Sequence, residues 1–274
     1  MIIKTLVENT AVSEDFKSEH GLSFYIETKS HKLLFDVGAS TFFIDHASKL
    51  GVDLTAVDAL IISHGHNDHG GGIGAFLHIN EKAPIYFNKQ AFMRHYANRP
   101  DGSSLDIGLD ETLLPNQRFV FIDDFRQIDE ELSLFSDVKG QKFYSSACKH
   151  LFMVTDAGMV PDDFAHEQNL VVQEEGKFVL FAGCAHRGIV NIVNRFQERY
   201  GRYPDHVIGG LHLYNPGSGK SEDPELIEQI GEYLLSTGSV YYTCHCTGME
   251  AYAHLKGMIK DKMNYLAAGS CLNL

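Results

Sequence analysis

Hydrophobic and polar positions change period repeatedly along this chain. At the start, MIIKTLV, GLSFYIET and HKLLFDVG are short alternating or β-branched runs, which predict three strands. TFFIDHASKLG carries apolar residues at helical spacing and closes on Gly51, so a helix is expected there. AVDALIISHGH predicts an apolar strand, and DHGGGIGAFLHINEKAP a loop running into a helix that stops before Pro84. APIYFNK predicts a strand and KQAFMRHYANR a helix. Regular patterning lapses between Pro100 and Gly140, where an insertion or lid is expected at residues 100–140. HLFMVTDAG reads as a strand and turn, and NLVVQEEGKFVLFAGCAHRG as a hairpin turning at Glu174 to Lys177. IVNIVNRFQERYG, PELIEQIGEYLLSTG and GMEAYAHLKGMIKDK predict helices, interleaved with the strands DHVIGGLHL and SVYYTCHCTG. Strands and helices alternate in both halves, which predicts an α/β class, at first sight on one open sheet. No repeat or low-complexity linker divides the chain, so a single domain over 1–274 is expected.

Composition narrows the partners. The formal net charge of −13 argues against broad binding to nucleic acid or to an anionic membrane, both of which want positive surface. No run of apolar residues reaches the length of a membrane span, and MIIKTLVENT lacks a secretory signal pattern. The expectation is a cytoplasmic enzyme acting on a small molecule. The five cysteines, Cys148, Cys184, Cys244, Cys246 and Cys271, are odd in number and form no C-x-x-C pair, so no disulfide framework is expected.

The chemistry concentrates in SHGHNDHGG at Ser63 to Gly71. Neutral imidazoles at His64, His66 and His69 donate ring nitrogens to metals, and Asp68 adds an anionic oxygen. In extended backbone His64 and His66 point the same way and can grip one ion. After the chain turns, Asp68 and His69 can grip a second, and the glycines let the backbone turn tightly beside them. Other strand ends supply the remaining candidates: Cys184 and His186 in FAGCAHRG, His212 in IGGLHL and His245 in TCHCTG. His20, His31, His95 and His150 lack this setting and read as ordinary surface or core residues. NPGSGKS lacks the first glycine of a phosphate loop, and GGGIG stands beside metal-ligand candidates and carries no dinucleotide signature.

SHGHNDHGG resembles the H-x-H-x-D-H signature of the metallo-β-lactamase fold, and LLFDVG resembles its early strand ending in aspartate, here Asp36. FAGCAHRGIVNIV, IGGLHL and CHCTG are similar to a branch of 7,8-dihydropterin-6-yl-methyl-4-(β-D-ribofuranosyl)aminobenzene-5′-phosphate synthases. The resemblance implies an αββα sandwich of two mixed sheets with outer helices, in place of a single open sheet. It implies His64 and His66 on a first metal and Asp68 and His69 on a second, with His245 completing the second site. Cys184 stands where many relatives place a bridging aspartate, and a thiolate can bridge metals. His186 is the alternative ligand there. The upstream histidine of the family has His166 as its only nearby counterpart. His212 is expected to contact substrate or move protons, with Asp68 as the other catalytic residue. Cys244 and Cys246 are expected to point away from His245 and to pack.

The expected function is a binuclear hydrolase that activates water against a phosphoester or acyl substrate, anionic or pterin-related. One or two divalent ions are expected, zinc foremost, with manganese or iron as alternatives. The competing readings are a pterin and aminobenzene-ribose-phosphate condensing synthase, an iron-dependent oxidoreductase and a non-catalytic metal-stabilised binding protein.

Overall fold

A computed structural model describes residues Met1–Leu274, which divide into two compact units. The first comprises Met1–Arg94, Ile107–Asp123 and Leu266–Leu274. Its seven-stranded sheet runs, edge to edge, Cys271–Asn273, Ile2–Val7, Ser23–Glu27, Lys32–Phe35, Ala59–Ile61, Ile85–Asn88 and Phe119–Ile122. The first four strands pair antiparallel. From Lys32–Phe35 onward every neighbour is parallel. Helices Phe42–Lys49 and Ile73–Ile79 connect parallel strands, because a parallel return needs a crossover. Phe43, Phe76, Leu34, Leu60, Ile62 and Phe87 belong to this unit's buried core.

The second unit comprises His95–Asp106 and Asp124–Tyr265. Its main sheet also has seven strands, in the order Met263–Tyr265, Val240–Thr243, His206–Gly209, Lys177–Phe181, Asn169–Glu174, Leu132–Phe135 and Phe125–Gln127. The pairings repeat the pattern of the first unit, three parallel and then three antiparallel. Helices Ile189–Tyr200, Pro224–Thr237 and Met249–Ile259 join the parallel strands. In the first of these, Ile189, Val190, Ile192, Val193 and Phe196 form one buried face, and Gly201 at φ 71° ends it. Asp223 caps the second by accepting the Glu225 N–H, with Pro224 in its first turn. Two mixed sheets with their own helices bear out the α/β class and the αββα class that the resemblance implies.

Three expectations change. KQAFMRHYANR is not a helix: His95–Asn98 is a strand pairing with Leu151–Thr155, so a long-range partner overrides a short amphipathic pattern. The helix expected over GMEAYAHLKGMIKDK ends at Ile259, and Met263–Tyr265 and Cys271–Asn273 beyond it each join a sheet. The strand in SVYYTCHCTG stops at Thr243, and a 3-10 turn covers His245–Thr247. Residues 100–140 contribute strands to both units, including the fully buried Leu132–Phe135. No helix is long and apolar enough to cross a membrane.

Because Phe196 and Phe76 are fully buried in separate cores, truncation to alanine leaves a cavity at each. Phe196→Ala and Phe76→Ala are each expected to lower stability by about 3–5 kcal/mol. Denaturant unfolding checks this, and a loss below about 1 kcal/mol at either site contradicts the packing described.

Candidate metal centre

In the first unit the histidine run follows the strand Ala59–Ile61 and starts the short helix Asn67–Gly70. His64, His66 and His69 are buried. The His64 ring lies 4.6 Å from that of His66 and 4.1 Å from that of His69, centroid to centroid. Beneath them sits Asp36, fully buried at the end of Lys32–Phe35 with φ 61°. It accepts hydrogen bonds from Ser63 N–H (2.7 Å), Ser63 Oγ (2.7 Å) and His69 Nδ1 (2.6 Å). Ser63 Oγ also contacts His64 Nδ1 at 2.8 Å. These contacts engage the Nδ1 atoms of both rings. Asp68 Oδ2 stands 3.8 Å from His69 Nε2 and 3.3 Å from Nε2 of the half-exposed His20. The glycines have a steric reason. A Cβ on Gly71 would lie 2.3 Å from the Ala39 carbonyl oxygen, and one on Gly72 2.6 Å from that of Val37.

In the second unit, Cys184, His186, His212, His245 and Cys246 are all buried in the turns after three neighbouring parallel strands. The His186 and His212 rings are 4.2 Å apart, and Phe164 stacks on His186 at 4.6 Å. Glu167 accepts the backbone N–H groups of His186 (2.7 Å) and Arg187 (3.0 Å), which fixes the turn carrying His186. Burial pushes the Glu167 carboxyl above its ordinary value against the pull of those N–H donors. Burial also pushes the His212 imidazole down, but the neighbouring Cys148 and Cys246 thiols outweigh it and hold the ring well above its usual value. For Cys246 burial acts upward, and Cys184, His212 and His245 together bring the thiol well below its usual value.

Three residues that pattern alone passed over or left aside form a further buried set. His95 Nδ1 lies 2.9 Å, and His166 Nε2 3.2 Å, from Asp162 Oδ2. Burial pushes the His95 imidazole below its ordinary value despite Asp162, which favours the neutral form that ligates metals. Asp162 and His166 are four residues apart in PDDFAHEQ, a signal the sequence does carry. His95 is 67 residues from Asp162, and only strand pairing brings it in.

Residues 19–144 match the metallo-beta-lactamase superfamily model. An uncharacterized protein of Methanocaldococcus jannaschii is 30% identical over 261 residues, covering 93% of each chain. The chain has the metallo-β-lactamase superfamily fold. Also similar is the 7,8-dihydropterin-6-methyl-4-(beta-D-ribofuranosyl)-aminobenzene-5'-phosphate synthase of the same organism, at 26% identity over 98% of this chain and 95% of that protein. A crystal structure of a metal-dependent hydrolase of the beta-lactamase superfamily matches with a TM-score of 0.84 at 29% identity, covering 100% of this chain and 99% of that one.

The donor chemistry of this metallo-β-lactamase-fold chain fits metal ions. Several clusters of buried histidine, aspartate and cysteine could coordinate one or two of them. In the first unit the Asp36 and Ser63 contacts aim imidazole nitrogens as ligand support does elsewhere. In the second, the His212 ring is buried among the donors Cys148, Cys184, His186 and Cys246.

Asp36→Asn keeps the side-chain shape but sets an amide where His69 Nδ1 and two Ser63 donors need an acceptor. It is expected to weaken metal affinity by about 10–100-fold, the usual cost of losing such support. Competition against a chromophoric chelator measures it, and unchanged affinity would show that Asp36 does not hold a ligand.

Proposed function

We propose that this protein is a metal-dependent hydrolase that cleaves a phosphoester or acyl bond in a small anionic substrate. The observation that carries the reading is the buried Asp36–His69 contact, with Ser63 tying His64 to the same carboxylate. A chain has little other reason to bury a carboxylate and several imidazoles together. The ligands we assign are His64, His66, Asp68 and His69 in the first unit and His186 and His245 in the second, for one or two ions, with zinc first in order and manganese or iron next. Bound ions of this kind supply Lewis acidity and bring the pKa of a water toward neutrality.

The chain's own residues do the rest. Asp36 holds the His69 ring in one tautomer. Asp68, only partly exposed, is the carboxylate placed to accept and orient a water proton, and the half-exposed His20 at 3.3 Å is placed to pass that proton to solvent. Glu167 holds the His186 turn through two backbone N–H groups. The relative named as a 7,8-dihydropterin-6-methyl-4-(beta-D-ribofuranosyl)-aminobenzene-5'-phosphate synthase supports a second reading, in which the same centre serves synthesis.

Protein prepared without chelator is expected to carry one to two transition-metal ions per chain by elemental analysis, and His64→Ala to lose at least one. Hydrolysis of a chromogenic phosphodiester or ester is expected to vanish on chelation and return with zinc or manganese. Metal-loaded protein that hydrolyses nothing on such a panel but joins a dihydropterin to an aminobenzene ribose phosphate would replace the hydrolase reading with the synthase. Metal that neither binds nor restores turnover would defeat both.

A further inference from the structure

We propose that Arg99 binds a terminal oxyanion of the substrate, and that the sheet face running from His95 to Arg99 carries an apolar segment between that end and the reacting bond. The proposal deepens the hydrolytic reading and rests on it for the place of the reacting bond. It narrows the substrate to an elongated molecule whose anionic group is remote from the bond that breaks.

Four strands of the second unit form a small antiparallel sheet, in the order Gly158–Pro161, Leu151–Thr155, His95–Asn98 and Ser104–Asp106. Pairing continues past Asn98, because the Arg99 N–H donates to the Ser103 carbonyl. Alternate residues of a strand share a face, so His95, Ala97 and Arg99 stand on one side. Register adds neighbours there: Met153 lies opposite His95, and Leu151 and Leu105 flank Ala97. His95 and Met153 are buried, Ala97 and Leu151 are half-buried, and Leu105 is exposed. The face thus opens from an imidazole beside Asp162 and His166, through an apolar row, to a guanidinium. Four residues of extended chain separate His95 from Arg99, a span of about 13 Å.

The guanidinium is free. Arg99 is half-buried, and its side chain takes part in no hydrogen bond or ion pair. Asp101 feels its charge, but that carboxylate is held by the Ser103 N–H at 2.9 Å and Oγ at 2.6 Å. A cation drawn out of water without a partner costs free energy, and its planar fork of donors suits a carboxylate or phosphate. A second hairpin rests against it. Tyr214–Asn215 pairs with Lys220–Ser221, starting two residues after His212. Asn215 Oδ1 accepts the N–H groups of Gly217 and Ser218 and orders the turn. A Cβ on Gly217 would lie 3.5 Å from Arg99 Nη1 and 3.9 Å from Arg99 Cδ. Two hairpins, with His95 and His212 at their bases, therefore meet at Arg99. Lys220 adds an exposed cation on the second. On a chain of net charge −13, an anionic substrate needs such local positive charge.

The test is calorimetric titration of the zinc-loaded full chain with straight-chain α,ω-dicarboxylates and with monocarboxylates of the same lengths. One carboxylate seats at the metal centre, and only the longer dicarboxylates reach Arg99 with the other. Beyond that length the dicarboxylate is expected to bind about 10-fold tighter, a usual effect of one charge-assisted contact. Arg99→Met is expected to abolish the preference, Arg99→Lys to keep part of it, and Lys220→Met to leave it in place. Equal affinity for the two series, binding of neither, or a preference that survives Arg99→Met overturns the proposal. A preference confined to the shortest dicarboxylates also overturns it, because both carboxylates then sit on the ions. Titration reads binding without turnover, so a chain that hydrolyses no ester refutes the hydrolase reading while these affinities still decide where the anion is held.

Discussion

A carboxylate buried out of water must be compensated in full, and in this protein that demand falls on Asp36. Its two oxygens are met by the Ser63 N–H, the Ser63 hydroxyl and His69 Nδ1, with distances of 2.6–2.7 Å. Charge-assisted contacts of this length are among the stronger ones available to a protein. They bind the end of one parallel strand to the end of the next and to the helical turn that follows. The left-handed backbone of Asp36 persists because these partners enforce it. The glycines after His69 then follow as a steric consequence, since Gly71 and Gly72 lie against the loop that leaves Asp36. The histidine run is therefore held in place by its hydrogen-bonded support.

The second unit reaches a similar end by different means. A buried glutamate, Glu167, satisfies the two N–H groups of the turn after Lys177–Phe181, and the Thr243–Thr247 hydroxyl pair and the Leu211 N–H join the turns after the next two strands. Three neighbouring parallel strands end within a residue of one another and are followed by three polar, buried turns. Burial alone would push the His212 imidazole down and the Cys246 thiol up, and their interactions with the neighbouring thiols and imidazoles reverse both. A protein that stored stability alone would fill such turns with apolar side chains.

The two sheets share a pairing pattern, antiparallel strands giving way to parallel strands connected by helices. No sequence repeat announces this. Pairing pattern depends on the spacing of hydrophobic runs and on crossover length, and many unrelated residues satisfy both.

Local pattern determined most of the elements and the first metal-ligand run. Helices such as Ile189–Tyr200 and Pro224–Thr237 carry their own apolar face and terminating glycine, so they were legible residue by residue. The same holds for SHGHNDHGG, where the donors are close enough in sequence to share an ion. Tertiary structure alone decided the strand at His95–Asn98, the C-terminal strands, the turn at His245–Thr247 and the partnership of His95 with Asp162 and His166. It also decided that Cys246, flanking His245 in sequence, lies beside Cys184 and His212. The physical reason is common to all of them. A strand's pairing and a buried group's partner come from residues far along the chain, and no local period encodes which distant segment will arrive.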